Sequence, residues 1–267
     1  MHTFIALLFL VSCKADPEPG PEPGPLGIVV TEDGAVYAGA AVVDITPAIG
    51  DTFTDTNGNH TYDAADEPYE DADGNGVFNP IWIAGFGPSR PANGVHDPIT
   101  VRAVVLAQDG EYIAFVSSDF VGLHHRRIHP ARDALAADGF DADRLVVTSS
   151  HNHQGPDTLG LWGDPLMGIS GFDETYQERI TAAIEEAVRN AAGGMKQVDF
   201  TVGALNMRDR GPWFNGSHFG GKNPDAIFHG MVHDGRDPIV VSDQLLVMQG
   251  EATDGVVFTL TNWSGHP

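Results

Sequence analysis

Residues 99–120, ITVRAVVLAQDGEYIAFVSSDF, constrain the fold more than any other stretch. The runs 99–107 and 111–120 are apolar and rich in β-branched side chains. Asp109-Gly110 between them is a tight-turn signal, because both residues tolerate positive φ. An antiparallel pair is expected. RLVVTSS, residues 144–150, reads as a further, buried strand. In DETYQERITAAIEEAVRNAAGG, residues Tyr176, Ile180, Ile184, Ala187, Val188 and Ala191 fall along one helical face. Asp173 suits its N-cap, and Gly193 or Gly194 its end. Strands are also expected over 40–50, 197–205, 240–249 and 256–263, and a short helix over 131–138 with Pro130 in its first turn. Strands interspersed with helices indicate an α/β domain, with α+β as the alternative.

The charge balance narrows the partners. Acidic residues number 37 and basic residues 14, a formal net charge of -23. Such a surface repels phosphate backbones, so no nucleic-acid partner is expected. It suits an exported protein or one that holds cations.

The only cysteine is Cys13, which excludes an intramolecular disulfide. It follows FIALLFLVS, an apolar run too short to span a bilayer but suited to a signal-peptide core. The LVSC ending resembles a bacterial lipoprotein signal, with lipid expected on Cys13, although MHT carries no Lys or Arg. Residues 14–27, KADPEPGPEPGPLG, cannot form helix or central strand and read as an extended tether. The expected plan is a signal over 1–13, a tether and lead-in over 14–37, and a globular body over 38–267. Anchorage to a bacterial membrane or cell surface follows.

VVTSSHNHQGP places His151 and His153 just past an apolar run. In a regular extended segment the two rings are expected on opposite sides and cannot easily bind one metal, so the division expected is one metal ligand and one second role. A neutral imidazole is the commonest ligand. A second imidazole can donate a hydrogen bond to charge developing on a substrate oxygen. Two hydrogen-bonded loop histidines are the plain alternative. VVFTLTNWSGHP repeats the arrangement, with His266 after a strand. Sites in α/β proteins collect at strand carboxyl ends, so His151 and His266 are candidates for one metal.

Residues 51–80 form an Asp/Asn-rich insertion. The first unit offers Asp55, Asn57, Asn59, Asp63 and Asp66, and the second Asp71, Asp73, Asn75 and Asn79. Calcium takes six to eight oxygens from such alternating loops. Glycine stands at loop position 4 in both units, only the second has one at position 6, Gly76, and the second lacks an acidic residue at position 12, so neither is a full EF-hand. Calcium is the expected ligand; a polar surface loop is the alternative.

AAVVDITPAIG, IAGFGPSRPANGVHDPITVRAVVLAQDGEYIAFVSSDF, VVTSSHNHQGP and FTLTNWSGHP occur in this order. The ordered set resembles the N-terminal half of the neutral/alkaline, non-lysosomal ceramidase family, over roughly residues 38–267. That family carries a DITGP-like opening, an HTHSGP loop and an NWFAVHPTS segment. The resemblance implies an α-β-β-α sandwich and a zinc amidase that cleaves the N-acyl bond of ceramide. It implies zinc ligation by His151 and His266, carbonyl assistance by His153, and a place for His96 near the catalytic cleft. Further Glu, Tyr and Ser residues of the family cannot be placed before Pro267. The expectation is therefore a fragment or truncated chain, inactive alone. HNHQGP departs from HTHSGP, so a related N-acyl amine is as open as ceramide. The alternatives are a non-catalytic calcium-binding surface lipoprotein and a metal hydrolase of another amide or ester. Asp119 is a candidate for the pocket or for a cap. HHRRIH (124–129) is expected as a solvated loop or helix face, and the histidines between His218 and His233 fit no standard metal motif. Trp213, Phe214 and Phe219 are candidates for an acyl-chain wall or for core.

Overall fold

The structure is a computed structural model that describes residues 24–166, 168–206, 242 and 244–263. Cys13, His266, the histidines from His218 to His233, and Trp213, Phe214 and Phe219 lie outside the described residues. The strands are β1 (Val36–Asp44), β2 (Thr52–Phe53), β3 (Tyr69–Glu70), β4 (Thr100–Gln108), β5 (Glu111–Ser118), β6 (Leu145–Ser149), β7 (Lys196–Asn206), β8 (Gln244–Ala252) and β9 (Gly255–Trp263). The helices are α1 (His125–Ala137) and α2 (Glu174–Gly193). Seven strands form one mixed sheet in the order β6-β5-β4-β1-β7-β8-β9, and β2 pairs with β3 apart from it. The fold is α/β.

The hairpin forms as its turn chemistry requires. Val101 to Gln108 pair with Ser118 to Glu111, and Asp109 and Gly110 both take positive φ. Alternation then sorts the faces. Val101, Ala103, Val105 and Ala107 of β4, with Ala114 and Val116 of β5, point into the core. Against them lie Ile180, Ile184, Ala187, Val188 and Ala191 of α2. Each fully buried Ile or Val contributes about 1.5–3 kcal/mol. Asp173 caps α2 by accepting from the Tyr176 N–H at 3.0 Å. The buried Tyr176 hydroxyl donates to the Ile45 carbonyl at 2.9 Å, and burial pushes that phenol far above its ordinary range. Gly39 lets α2 rest directly on β1, since a Cβ there would overlap the Ala191 carbonyl.

One expectation shifts. The first helix starts at His125, not after Pro130, and Pro130 is inside it. Proline there removes one hydrogen bond to the Arg126 carbonyl. Both residues are exposed, so water can satisfy that oxygen. Just after the expected tether, Ile28 is fully buried in the main core.

Among the described strands, only β5 and β6 are parallel, with α1 as the crossover. Their carboxyl ends lie together, Ser118 opposite Ser149. That edge emits both Asp119 and the His151 loop.

Candidate functional site

The His151 loop is tied to the chain that follows β5. Ser150 N–H donates to the Ser118 carbonyl at 2.9 Å, and Asn152 N–H to the Phe120 carbonyl at 3.2 Å. His151 takes a left-handed backbone, φ 60°. Its Nδ1 lies 2.6 Å from the Val121 carbonyl. A carbonyl only accepts, so Nδ1 carries the proton and the lone pair of the neutral ring resides on Nε2. Metal-ligating histidines are oriented in this way by a backbone acceptor.

The rings of His151 and His153 lie 4.8 Å apart at 69°. This corrects the expectation that they stand apart. Side chains two residues apart share a side of an extended chain, and the turn at His151 keeps them together. His153 sits against Gly85, where any Cβ would overlap its ring, and against the edge of Phe86 at 4.9 Å. Arg90 reaches the His153 carbonyl at 3.4 Å and the Gln154 Oε1 at 3.2 Å, with its guanidinium 5.3 Å from the Phe86 ring centre. Phe86, Ser89 and His151 are three of the six non-glycine residues with positive φ among those described. Backbone strain therefore gathers at this loop pair, as it does at binding sites.

A cavity of about 590 Å³ opens beside the loop. Its floor includes Ile81, Ile83 and Ile99, and its rim Arg102, Asp119 and His96. Asn152 and Gln154, rather than the histidines, line it. Asp119 is bound back to β4: Oδ2 accepts from the Thr100 N–H and hydroxyl at 3.1 and 2.7 Å, and Oδ1 from Arg102 at 2.8 Å. His96 is almost wholly exposed and meets Asp97 at 2.8 Å instead of the histidine pair.

Asp157 escaped the sequence reading. It is buried, and it accepts from the N–H groups of Leu159, Gly160 and Trp162 at 2.8–2.9 Å. Its signal was the Pro-Asp-Thr-Leu-Gly turn chemistry after the histidines. The loop it shapes meets α1 where His124 Nε2 lies 3.3 Å from the Leu159 carbonyl.

The fold is similar to that of neutral ceramidases. The neutral ceramidase of Pseudomonas aeruginosa matches with a TM-score of 0.56 and 15% identity over 86% of this chain. A second structure, a ceramidase complexed with C2, matches with a TM-score of 0.55 and 17% identity over 86% of this chain. The chain spans 31% of the length of each. No protein-family profile and no curated protein matches it.

A second candidate centre lies in the 51–80 insertion, around the separate β2–β3 pair. Its two loops share one design. Asp55 accepts from the N–H groups of Gly58, Asn59 and His60, and Asp71 from those of Gly74, Asn75 and Gly76. His60 takes φ 60° where the second loop has Gly76, so the missing glycine does not change the turn. Asp63 accepts from the Asn57 and Asn59 amides, while Asp73 and Asn79 bond to the Asn75 amide. A buried carboxylate clasps each loop at positions 2 and 9. Glu67 accepts from the Thr56 and Asp63 N–H groups, and Asp51 from those of Ala72 and Asn79. Glu67 therefore closes the first loop, while Asp66 is exposed. Oxygens of Asp51, Asp71 and Asp73 lie within 4.8 Å of one another. Asp51 was missed because it precedes the loop it closes. Phe53, Tyr62, Tyr69 and Phe78 pack between the loops, with Tyr62 and Phe78 centred 4.0 Å apart.

Proposed function

We propose that this chain belongs to a zinc-dependent amidohydrolase of ceramidase type, which cleaves the N-acyl bond of ceramide or a related acylated amine. The observation that carries the reading is the His151 hydrogen bond to Val121, which leaves the lone pair of the neutral ring on Nε2, with the His153 ring 4.8 Å away, on a ceramidase-like fold. His151 would hold the metal, with His266 as a second ligand. Zinc there would acidify a bound water and polarise the amide carbonyl. His153, seated by Gly85 and Phe86, would donate to the oxygen as it gains charge. His96, which lines the cavity beside the loop, would act from there on bound substrate. The chain covers 31% of its structural relatives, so the activity is proposed for the whole protein that contains it. Export and lipid anchorage at Cys13 would place it at a membrane that supplies such substrates.

The test is hydrolysis of an N-acyl sphingosine by the longest reading frame containing this chain. Turnover should vanish with a chelator, return with zinc, and fall at least a hundredfold in His151→Ala. Turnover indifferent to chelator and to that substitution would overturn the reading.

We also propose that the twin loops hold calcium. The first would use Asp55, Asn57, Asn59, Asp63 and Glu67, and the second Asp71, Asp73, Asn75, Asn79 and Asp51. The support is the match in chemistry: oxygens at alternate positions, closed by a buried carboxylate. Calorimetry should show heat of calcium binding that Asp71→Asn diminishes. A flat titration would remove the proposal.

A further inference from the structure

The run HHRRIH, residues 124–129, carries the start of α1, and the helix divides its histidines. His124 precedes the first turn, with Nε2 3.3 Å from the Leu159 carbonyl. His125 and His129 are four residues apart, so they stand on one helix face, one turn above the other. Both are exposed, and their rings meet edge to face with centres 4.6 Å apart.

Two imidazoles in this relation can grip one metal ion. Zinc binds histidine nitrogen at about 2.0–2.1 Å, which puts two ligating nitrogens about 3.0–3.4 Å apart. Rings with centres 4.6 Å apart reach that separation by turning about their own side-chain bonds, and the backbone need not move. The same spacing on a helix supplies both zinc-binding histidines of the H-E-x-x-H metalloproteases. Once one ring is engaged, binding by the other is intramolecular, so the pair holds an ion more tightly than either ring alone.

The surroundings admit a cation. Arg126 adjoins the pair, and Asp133 stands exposed one turn beyond His129 with the opposite charge. Arg127 is paired with Glu174, and Arg132 donates to the Ala142 and Leu145 carbonyls. The chain as a whole carries a formal charge of -23, which draws cations. Imidazole selects late first-row divalent metals, whereas calcium and magnesium take oxygen.

The start of α1 also lacks other fastenings. The His124 side chain makes no capping hydrogen bond, and the first turn holds no acidic residue. Pro130 leaves the Arg126 carbonyl without its helical donor. An ion held between His125 and His129 spans that same turn.

We propose that His125 and His129 form a chelating site for a late first-row divalent metal ion (zinc, nickel or copper), completed by water, and that the ion fastens the first turns of α1. The site shares no residue with the His151 centre and does not rest on the amidase reading.

The experiment uses the full chain carrying Cys13→Ser and His151→Ala, so that neither the thiol nor the other candidate ligand contributes. Substoichiometric copper(II) should broaden the amide resonances around His125 and His129 before any others. In calorimetry with nickel, H125Q and H129Q in that background should each lose about tenfold or more in affinity, with unchanged circular dichroism. Saturating zinc should slow amide exchange in the first two turns of α1 about tenfold or more, and should not do so in H129Q. Broadening centred on other histidines, or nickel affinity unchanged in both variants, would overturn the site. Metal that binds there without slowing exchange would overturn the fastening role.

Discussion

At His153 a neighbouring backbone, rather than a side chain, sets where the ring can lie. Gly85 has φ 90° and its missing Cβ leaves the space that the imidazole fills. Gly85→Ala adds both a clash with the ring and left-handed strain of about 1–2 kcal/mol. Stability should fall by at least that amount in urea unfolding, and on the proposed amidase reading turnover by the full reading frame should fall far more. Turnover equal to the parent would show that the ring position does not matter. His151 offers a sharper check. Its Nδ1 bond to Val121 requires the Nδ1–H tautomer, so nitrogen NMR at neutral pH should find the unprotonated nitrogen at Nε2. The opposite tautomer would remove the argument for a metal ligand. Gly39 tests packing alone. Gly39→Ala drives a Cβ into the Ala191 carbonyl, and the helix must lift from β1. A loss of about 3 kcal/mol is expected in the same unfolding measurement, in the range of overpacked cores.

At the level of elements, the insertion owes its order to ionised carboxylates. The N–H of Gly76, with those of Gly74 and Asn75, holds Asp71 below the usual carboxylate range. Burial pushes Asp55 up, but the N–H groups of His60 and Gly58 and the charge of His60 outweigh it, so it too is lowered. A folded pKa below the unfolded value of about 3.9 stabilises the native loop above that pH. The contribution is lost as pH falls through the lower folded values. The near-ultraviolet signal of Tyr62 and Tyr69 should therefore stay flat down to about pH 4 and collapse below it. A signal unchanged to pH 2 would contradict this, as would collapse near neutrality. The same elements show what sequence can reveal. β4, β5 and α2 were legible because alternation, an Asp-Gly turn and a 3.6-residue stripe are local signals. The aromatic cluster was hidden, because Phe53, Tyr62, Tyr69 and Phe78 meet only after both loops have turned. The closing roles of Asp51 and Glu67 were hidden for a related reason: each depends on pairing across the β2–β3 ladder. The early start of α1 was masked by Pro130, whose cost is small where both affected groups face water. The nearness of His151 to His153 was legible in their spacing of two residues, and only the seats of the two rings, at Val121 and Gly85 on distant segments, were hidden.

Across the whole molecule, stability is distributed unevenly along the sheet. The helices cover β1, β4 and β5, where Val101, Val105, Ala114 and Val116 are buried. β7 joins β1 through only Val36 to Ala38, and then runs on with β8 and β9 as an antiparallel meander. Only Val198 is buried along β7, and Val202, Leu205 and Leu246 are exposed. Few apolar contacts and many solvent-facing ladder bonds define a segment that opens without global unfolding. Amide hydrogen exchange should separate the two regions. Amides of β4 and β5 should exchange only through global unfolding, with protection that follows denaturant stability. Those of residues 203–206, 244–247 and 261–263 should exchange at least a hundredfold faster, by local opening. Near Phe258, which packs with Ala38 and Val198, protection should be intermediate. Uniform protection from β6 to β9 would mean that something buries the outer strands in solution. In that case L246S would expose the partner: a change in mass on light scattering identifies a second copy, and an unchanged mass assigns the cover to the chain itself.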